Sequence, residues 1–164
     1  MAKEVTKVPR PKGFMRFLAR LPILMYRVGL GRLMGSRFLV LTHTGRVSGL
    51  PRQVALEIVR HDGPSDTYFV ASGWGEEADW YRNLLKTPQV VVQAGRRRLE
   101  SVAERLPPED AEHEILRYAQ SYPLAIKSLA KMMGYPLDGT EEGHRALGRL
   151  LPIIALRPAL NAEA

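Results

Sequence analysis

The sequence predicts an α+β domain built on a small, mainly antiparallel β-barrel with helices packed outside it. β-branched and aromatic runs follow one another with short turns between them, which is typical of antiparallel strands. One helical segment interrupts these runs, so the strict strand–helix alternation of a parallel sheet is absent. Helical patterns precede and follow the strand-rich region, and we expect those helices to cover the barrel from outside.

The composition is that of a globular protein. The chain has 164 residues, of which 45% are apolar and 25% charged, enough to bury a core in one domain. We expect residues 1–12 to form a flexible basic arm and residues 13–164 to form a single domain. There is no cysteine, so thiolate metal and redox sites are excluded, and any redox chemistry requires a bound cofactor.

The net charge of +7 favours an anionic partner, which is a nucleic acid, a lipid surface or a phosphorylated or polycarboxylated ligand. A basic protein with an ordinary solvated surface is the simplest alternative. No nucleic-acid-binding motif accompanies the charge, so we predict no nucleic-acid partner. The sequence contains neither a run long enough to span a membrane nor a signal peptide, and it therefore predicts a cytoplasmic location.

The N-terminal half predicts two helices, three strands and a further helix. Apolar spacing of three and four residues predicts a helix from Phe14, and Pro22 opens a second one through about Met34. The first helix is basic and amphipathic, which allows peripheral contact with an anionic membrane, although packing against its own domain is commoner. Strands are predicted at residues 37–43, 52–60 and 67–72, turns at 44–50 and 61–66, and a helix at 76–86.

The C-terminal half predicts a hairpin, two helices and a last strand. Residues 89–93 and 97–106 predict a hairpin around Gly95. A proline opens each of the next two helices, which are predicted from 108 to about 120 and from 123 to about 134. Residues 139–143 are predicted to form a loop, and the apolar run at 150–156 predicts the last strand.

The turn between the first two strands carries groups suited to an anionic ligand. It has glycines that let the backbone approach a ligand, hydroxyl donors, and guanidinium groups that bind phosphate or carboxylate. These residues are Thr42, Thr44, Gly45, Arg46, Ser48, Gly49 and Arg52. The turn is neither a Walker loop nor a dinucleotide fingerprint. The simplest alternative is a hairpin turn with two solvated arginines.

A second glycine turn, residues 71–75, places small residues at the end of the third strand, where a flat ligand needs bare backbone. The alternative is an ordinary strand-to-helix turn. In the helix that follows, Trp80 has the spacing of a core residue, which is commoner than a cofactor contact. Asn83 is unusual inside a helix, so we expect it to make a specific hydrogen bond to the chain or to a ligand.

Other chemistries lack support. The four histidines show no metal-ligand spacing, so we predict no metal site. No Gly-x-Ser-x-Gly elbow surrounds a serine. The acids at 109–114 are explained by the helix dipole, and the arginines at 96–98 by a solvated hairpin end.

Three blocks taken together carry a family resemblance over about residues 30–105. They are Thr42-x-Thr44-Gly45-Arg46-x-Ser48-Gly49-x-Pro51-Arg52, then Tyr68-Phe69-Val70-Ala71-Ser72, then Trp80-Tyr81-x-Asn83-Leu84 with Pro88 and Val90-x-Val92-Gln93. Their order and spacing closely resemble the deazaflavin-dependent nitroreductase family. The resemblance implies a split β-barrel, the FMN-binding-like fold of flavin-reductase and pyridoxamine-oxidase-like domains.

The resemblance also implies coenzyme F-420 as the cofactor. The first turn would hold its phosphate and acidic tail through Arg46, Ser48, Gly49 and Arg52, and the second turn would lie along the deazaflavin ring. The full set expected at the cofactor is Thr44, Arg46, Ser48, Gly49, Arg52, Ala71, Ser72, Gly73, Trp74, Trp80 and Asn83. Two positions differ from the family pattern, because Val47 stands where lysine is common and Trp74 where a small or polar residue is frequent.

The activity implied by the resemblance is hydride transfer from the reduced deazaflavin to a quinone, a nitro compound or an activated alkene. Tyr118, Tyr122 and Tyr135 are candidate proton donors or pocket walls, with helix packing as the simpler alternative. Two other functions remain open, a non-catalytic carrier of a fatty acid or similar ligand in the same barrel, and an FMN-binding oxidoreductase. A homodimer is expected by analogy with barrels of this kind.

Overall fold

The computed structural model describes residues 37–160, together with residues 23, 24, 27 and 28. Its strands are β1 (Phe38–Thr44), β2 (Pro51–Asp62), β3 (Thr67–Ala71), β4 (Gln89–Ala94), β5 (Arg97–Arg105) and β6 (Ile153–Pro158). Its helices are α1 (Asp79–Lys86), α2 (Pro108–Ser121), α3 (Pro123–Met132) and α4 (Glu141–Leu150). The predicted basic arm and first N-terminal helix lie outside the described residues, as does most of the second helix.

The six strands form a closed barrel in the order β1-β2-β3-β6-β5-β4, and every neighbouring pair is antiparallel. The register is fixed by pairs such as Val40 with Ala55 and Val70 with Ile154. The predicted α+β barrel with outer helices is therefore confirmed. Closure removes the unpaired strand edges that an open sheet of this size would expose.

Alternation along the strands separates an interior core from an outer core. The barrel interior is filled by apolar side chains with almost no exposure, including Leu39, Leu41, Val70, Val92 and Leu156. Burying each such side chain contributes roughly 1.5–3 kcal/mol. Helix α1 closes one end of the barrel by adding Trp80, Tyr81 and Leu84 to the same core.

The outer core lies between the barrel wall and helices α2, α3 and α4. Side chains that point outward from β3 and β6, such as Phe69 and Ile153, pack against Ile115 of α2, Ile126 of α3 and Leu147 of α4. Among the described residues, no helix is long and apolar enough to cross a membrane.

Three predicted boundaries are corrected by the structure. Of the loop predicted at 139–143, residues 141–143 are instead the first residues of α4. Thr140 caps this helix by accepting a hydrogen bond from the Gly143 backbone N–H at 3.0 Å. The last strand begins at Ile153 because α4 extends to Leu150. The helix predicted from 76 is divided at extended Ala78 into a 3₁₀ turn (Gly75–Glu77) and α1.

Candidate functional site

The two glycine turns lie at the same end of the barrel. Thr44 pairs with Pro51, so the first turn joins the end of β1 to the start of β2. β3 runs antiparallel to β2 and ends at Ala71, which directs the second turn toward that same end. Helix α1 follows the second turn and contacts the first. The sequence-predicted tail and ring segments are therefore brought to one face of the molecule.

The first turn is held by its own backbone and presents its tip to solvent. The Gly45 N–H donates to the Leu50 carbonyl at 2.9 Å, and the Gly49 N–H donates to the Gly45 carbonyl at 2.8 Å. Gly49 has φ of +67°, a conformation that favours glycine. Val47, at the position where the family pattern has lysine, is 93% exposed. The turn is thus a preformed and accessible loop.

Arg46 connects the first turn to α1. Its backbone N–H and its Nη1 each donate to Asn83 Oδ1 at 3.0 Å, and its Nη2 donates to Asp79 Oδ1 at 3.0 Å. Lys86 Nζ donates to the Arg46 carbonyl at 2.8 Å. The guanidinium expected to bind a phosphate is therefore paired with the exposed carboxylate of Asp79.

Asn83 is buried and bridges the turn to the barrel. Its Nδ2 lies 3.1 Å from His43 Nδ1. Burial of His43, with a smaller effect from the Arg52 charge, lowers the pKa of the imidazole to about 4. His43 is therefore neutral at physiological pH and accepts this bond at Nδ1. The specific hydrogen bond expected of Asn83 is confirmed, and it is made to the chain.

Arg52 is the more accessible cation of the first turn. It lies on β2 opposite His43 and is exposed, and its Nη2 reaches Ser48 Oγ at 3.5 Å. Ser48 Oγ also accepts from the Leu50 backbone N–H at 3.3 Å. Arg52 and Ser48 thus present a guanidinium and a hydroxyl side by side, which suits a phosphate or carboxylate group.

The second turn is stabilised by Ser72 and bounded by α3. Ser72 is fully buried, and its Oγ donates to the Gly75 carbonyl at 2.6 Å while its own carbonyl accepts from the Gly75 N–H. The Met132 methyl group occupies the place that a Cβ on residue 73 would take, and Leu129 Cδ1 lies 3.3 Å from that place. Gly73 is therefore covered by side chains of α3, and its predicted contact with a flat ligand stays a prediction.

The two tryptophans of the predicted site contact the interior core. Trp80 is buried within it and meets Tyr81 edge to face, with ring centroids 6.4 Å apart. Trp74 is partly buried and packs against the same core. Both lie at the α1 end of the barrel, where they support the second turn from inside.

Two of the candidate tyrosines adjoin β2 on the outer face. Tyr118 is buried, and its hydroxyl donates to Glu57 Oε1 at 2.7 Å. Burial, and then the Glu57 hydrogen bond and charge, raise the pKa of Tyr118 well above its usual value. The Tyr122 ring lies 5.4 Å from that of Tyr118 and carries the Arg37 guanidinium 4.6 Å from its centroid.

Tyr135 belongs to the outer core, where Ala71 also packs. Ile58 of β2 pairs with Val70 of β3, and both side chains point into the barrel. Glu57 precedes Ile58 and Ala71 follows Val70, so the side chains of Glu57 and Ala71 point outward from the barrel wall. The Tyr118 hydroxyl and the outer surface of the second turn are therefore neighbours.

Sequence reasoning missed three residues that define this site. Asp79 pairs with Arg46, Glu57 accepts the Tyr118 hydrogen bond, and Met132 covers Gly73. Glu57 shares the outward face of β2 with another polar residue, Gln53, so its sequence position gave no signal. The contacts of Asp79 and Met132 depend on tertiary packing.

A separate cavity of about 390 Å³ is lined by residues of α2 together with Phe69 of β3 and Arg157 of β6. Its floor is Phe69 and Leu106, and its walls include His113, Arg117 and Arg157. None of the residues predicted at the cofactor lines it. The described part of the chain contains no cluster of side chains that could hold a metal ion.

Comparison with known proteins gives a consistent set of similarities. A family model described as F420H(2)-dependent quinone reductase matches residues 20–125. The solved structure of an F420-H2 dependent reductase (FDR-A) is 26% identical, with 74% of this chain and 94% of that chain covered and a TM-score of 0.53. No curated protein matches the chain.

Two further solved structures resemble the chain in fold alone. A domain-swapped dimer is 23% identical, with 83% of this chain and 99% of that chain covered and a TM-score of 0.53. Protein Atu2129 of Agrobacterium tumefaciens is 22% identical, with 93% of this chain and 58% of that chain covered and a TM-score of 0.54.

Proposed function

The chain belongs to the family of F420H(2)-dependent quinone reductases, and we propose that it reduces a quinone with coenzyme F420 held at the α1 end of the barrel. The observation that carries this proposal is the meeting, at one barrel end, of an exposed basic turn and a glycine turn whose Gly73 is covered only by side chains of α3. The first suits an anionic tail and the second suits the edge of a flat ring. When bound, the reduced deazaflavin supplies a hydride.

The first turn is the proposed tail site. Arg52 and Ser48 are exposed, and the glycine-bearing backbone of the turn can approach phosphate closely. Arg46 and Lys86 add positive charge beside it. The net charge of +7 attracts a polyanionic coenzyme to the protein from a distance.

The second turn is the proposed ring site, with Tyr118 and Tyr122 as neighbours. The Tyr118 phenol remains protonated and is already committed to Glu57, so we assign it to the wall of the site. Tyr122 is half-exposed, and its hydroxyl has no hydrogen-bond partner among the described residues. Tyr122 is therefore the better placed of the two to donate a proton to a reduced substrate.

Two alternative functions differ in their support. A fatty acid along the barrel axis is disfavoured because the interior side chains already fill that space. FMN has a flat ring and a phosphate and would use the same two turns, so only binding data separate the two cofactors. The homodimer, the peripheral membrane contact and the nitro and alkene substrates remain predictions.

The test is a fluorescence titration of the full chain with oxidised coenzyme F420, run in parallel with FMN. We expect Arg52→Ala to weaken F420 binding about tenfold, because it removes one charge-assisted contact. Arg96→Ala is the matched control, since it removes the same charge from the hairpin at the far end of the barrel. Equal affinities of the two variants would contradict the tail site, and selective FMN binding would favour the alternative cofactor.

A further inference from the structure

We propose that Met132 gates the ring site, filling the layer above Gly73 in the free protein and swinging toward solvent when a planar ring enters. The inference rests on the proposed function, because it concerns the cofactor proposed for that site. It assigns to Met132 a role in cofactor affinity that neither the three sequence blocks nor the glycine turns indicate.

The Met132 side chain is in direct contact with the Gly73 backbone. The terminal methyl group occupies the position of the missing Cβ, so it lies in van der Waals contact with the Gly73 backbone. A flat ring laid on the same backbone would need its atoms at a similar separation of about 3.5–4.0 Å. The methyl group and the ring would therefore occupy one layer, and only one of them can be present at a time.

Met132 is partly exposed at the end of α3, whereas its neighbours in the outer core are buried. It is the last residue of α3 and is 37% exposed, and its unbranched side chain has three rotatable bonds. The residues on either side of it along the outer core, Ile126, Ala130 and Met133, are buried. Swinging the Met132 side chain outward thus opens the layer above Gly73 without moving the helix.

A second residue of α3 borders the space that Met132 fills above Gly73. Leu129 Cδ1 borders the same space and is fixed on the core side of the helix. A ring that enters has to displace the Met132 thioether, so this side chain closes the layer until a ring binds.

The test compares three variants of the full chain by titration with oxidised coenzyme F420. We expect Met132→Ala to bind about fivefold more tightly, because no side chain has to be displaced. Met132→Ile, similar in volume but stiff at χ1, should bind more weakly. Leu124→Ala is the control, since Leu124 is exposed on the same helix and has no contact with Gly73, and its affinity should match that of the wild type.

A second measurement tests the contact itself without the coenzyme. Gly73→Ala should lower the unfolding temperature in the wild-type background, because the new Cβ meets Met132, and should do so much less in the Met132→Ala background. Equal losses in both backgrounds would overturn the inference, as would equal F420 affinities in all Met132 variants. Folded variants that all fail to bind F420 would overturn the proposed function, and this inference with it.

Discussion

Arg46 illustrates, at the scale of single residues, how a proposed binding group is already paired within the protein. Its guanidinium is planar and suits phosphate, yet Asp79 and Asn83 already accept its hydrogen bonds. Asp79 is an exposed carboxylate on the first turn of α1, so the pair is a surface ion pair of modest strength. An anionic tail would therefore compete with Asp79 for the same guanidinium.

This competition predicts that Asp79→Asn binds coenzyme F420 more tightly than the wild type. The gain should be about two- to fivefold, which corresponds to releasing one surface ion pair. Isothermal titration at low and moderate salt would measure it. Glu77→Gln removes an equal charge that pairs with Arg82, and it should change the affinity less. Weaker binding by Asp79→Asn would mean that Asp79 orients Arg46 rather than competing for it.

The residues that meet at the candidate site were predictable where the pattern is local, and their role in binding stays a prediction. Glycines and arginines in one turn indicate an anion site because their suitability depends on backbone freedom and charge alone. The bridge from Asn83 to His43 joins residues 40 positions apart, so its need for a partner was predictable but the partner was not. The covering of Gly73 by Met132 could not be predicted, because α3 meets β3 through packing between distant segments.

Helix α4 shows, at the scale of secondary structure, how glycine serves close packing. Gly143 and Gly148 weaken the helical pattern, since glycine is the poorest helix former after proline. Gly148 is buried, however, and a Cβ added there would lie 2.7 Å from Glu112 Cα and 3.1 Å from the Ala111 carbonyl of α2. The glycine thus permits the backbones of α2 and α4 to touch.

Gly148→Ala should therefore destabilise the protein by about 1–3 kcal/mol, despite the better helix propensity of alanine. The new Cβ would meet backbone atoms of α2, which cannot rotate away as a side chain could. Urea unfolding followed by circular dichroism measures the change. Gly63→Ala is the control, since a Cβ at residue 63 meets nothing within 4 Å and its φ is not positive. A neutral Gly148→Ala variant would show that the two helices separate at little cost.

The elements were predicted best where two signals agreed. Proline followed by acids marks the start of α2, and alternation with short turns marks β1 through β5. Helix α4 was missed because its buried side is largely glycine with Leu147, so it lacks an apolar stripe. Its cap and its first-turn acids, Thr140 with Glu141 and Glu142, were the overlooked signal.

At the scale of the described fold, residues 37–160 form a barrel with outer helices, and the two ends of the barrel differ in character. The α1 end carries the proposed site, and hairpin turns close the far end. There Asp66 accepts hydrogen bonds from His61 Nε2 at 3.0 Å and from Arg97 Nη1 at 2.7 Å. This joins the β2–β3 hairpin to the β4–β5 hairpin across the mouth of the barrel.

The Asp66 contacts predict a specific dependence of stability on acid. Hydrogen bonds from Arg97, and then from His61, lower the pKa of Asp66 to about 2 from 3.8. A lowered native pKa stabilises the fold above about pH 4, and this contribution is lost as the pH falls toward 2. Asp66→Asn, which tolerates the positive φ of this position, should be less stable than the wild type at pH 6 and equal to it near pH 2.

Thermal unfolding at several pH values from 2 to 6 would measure this convergence. The difference at pH 6 should be modest, about 1 kcal/mol or less, because the cluster lies at the surface. Glu100→Gln removes an exposed carboxylate from β5 as the control, and its difference from the wild type should change less with pH. A constant difference between Asp66→Asn and the wild type would contradict the pairing.

The place of β6 between β3 and β5 has a consequence for biosynthesis. The ribosome makes β6 after the other five strands, so β3 and β5 keep bare edges until residues 153–158 leave the exit tunnel. Such edges invite pairing with other nascent chains. We therefore expect nascent chains that lack residues 153–158 to aggregate more readily than the complete barrel.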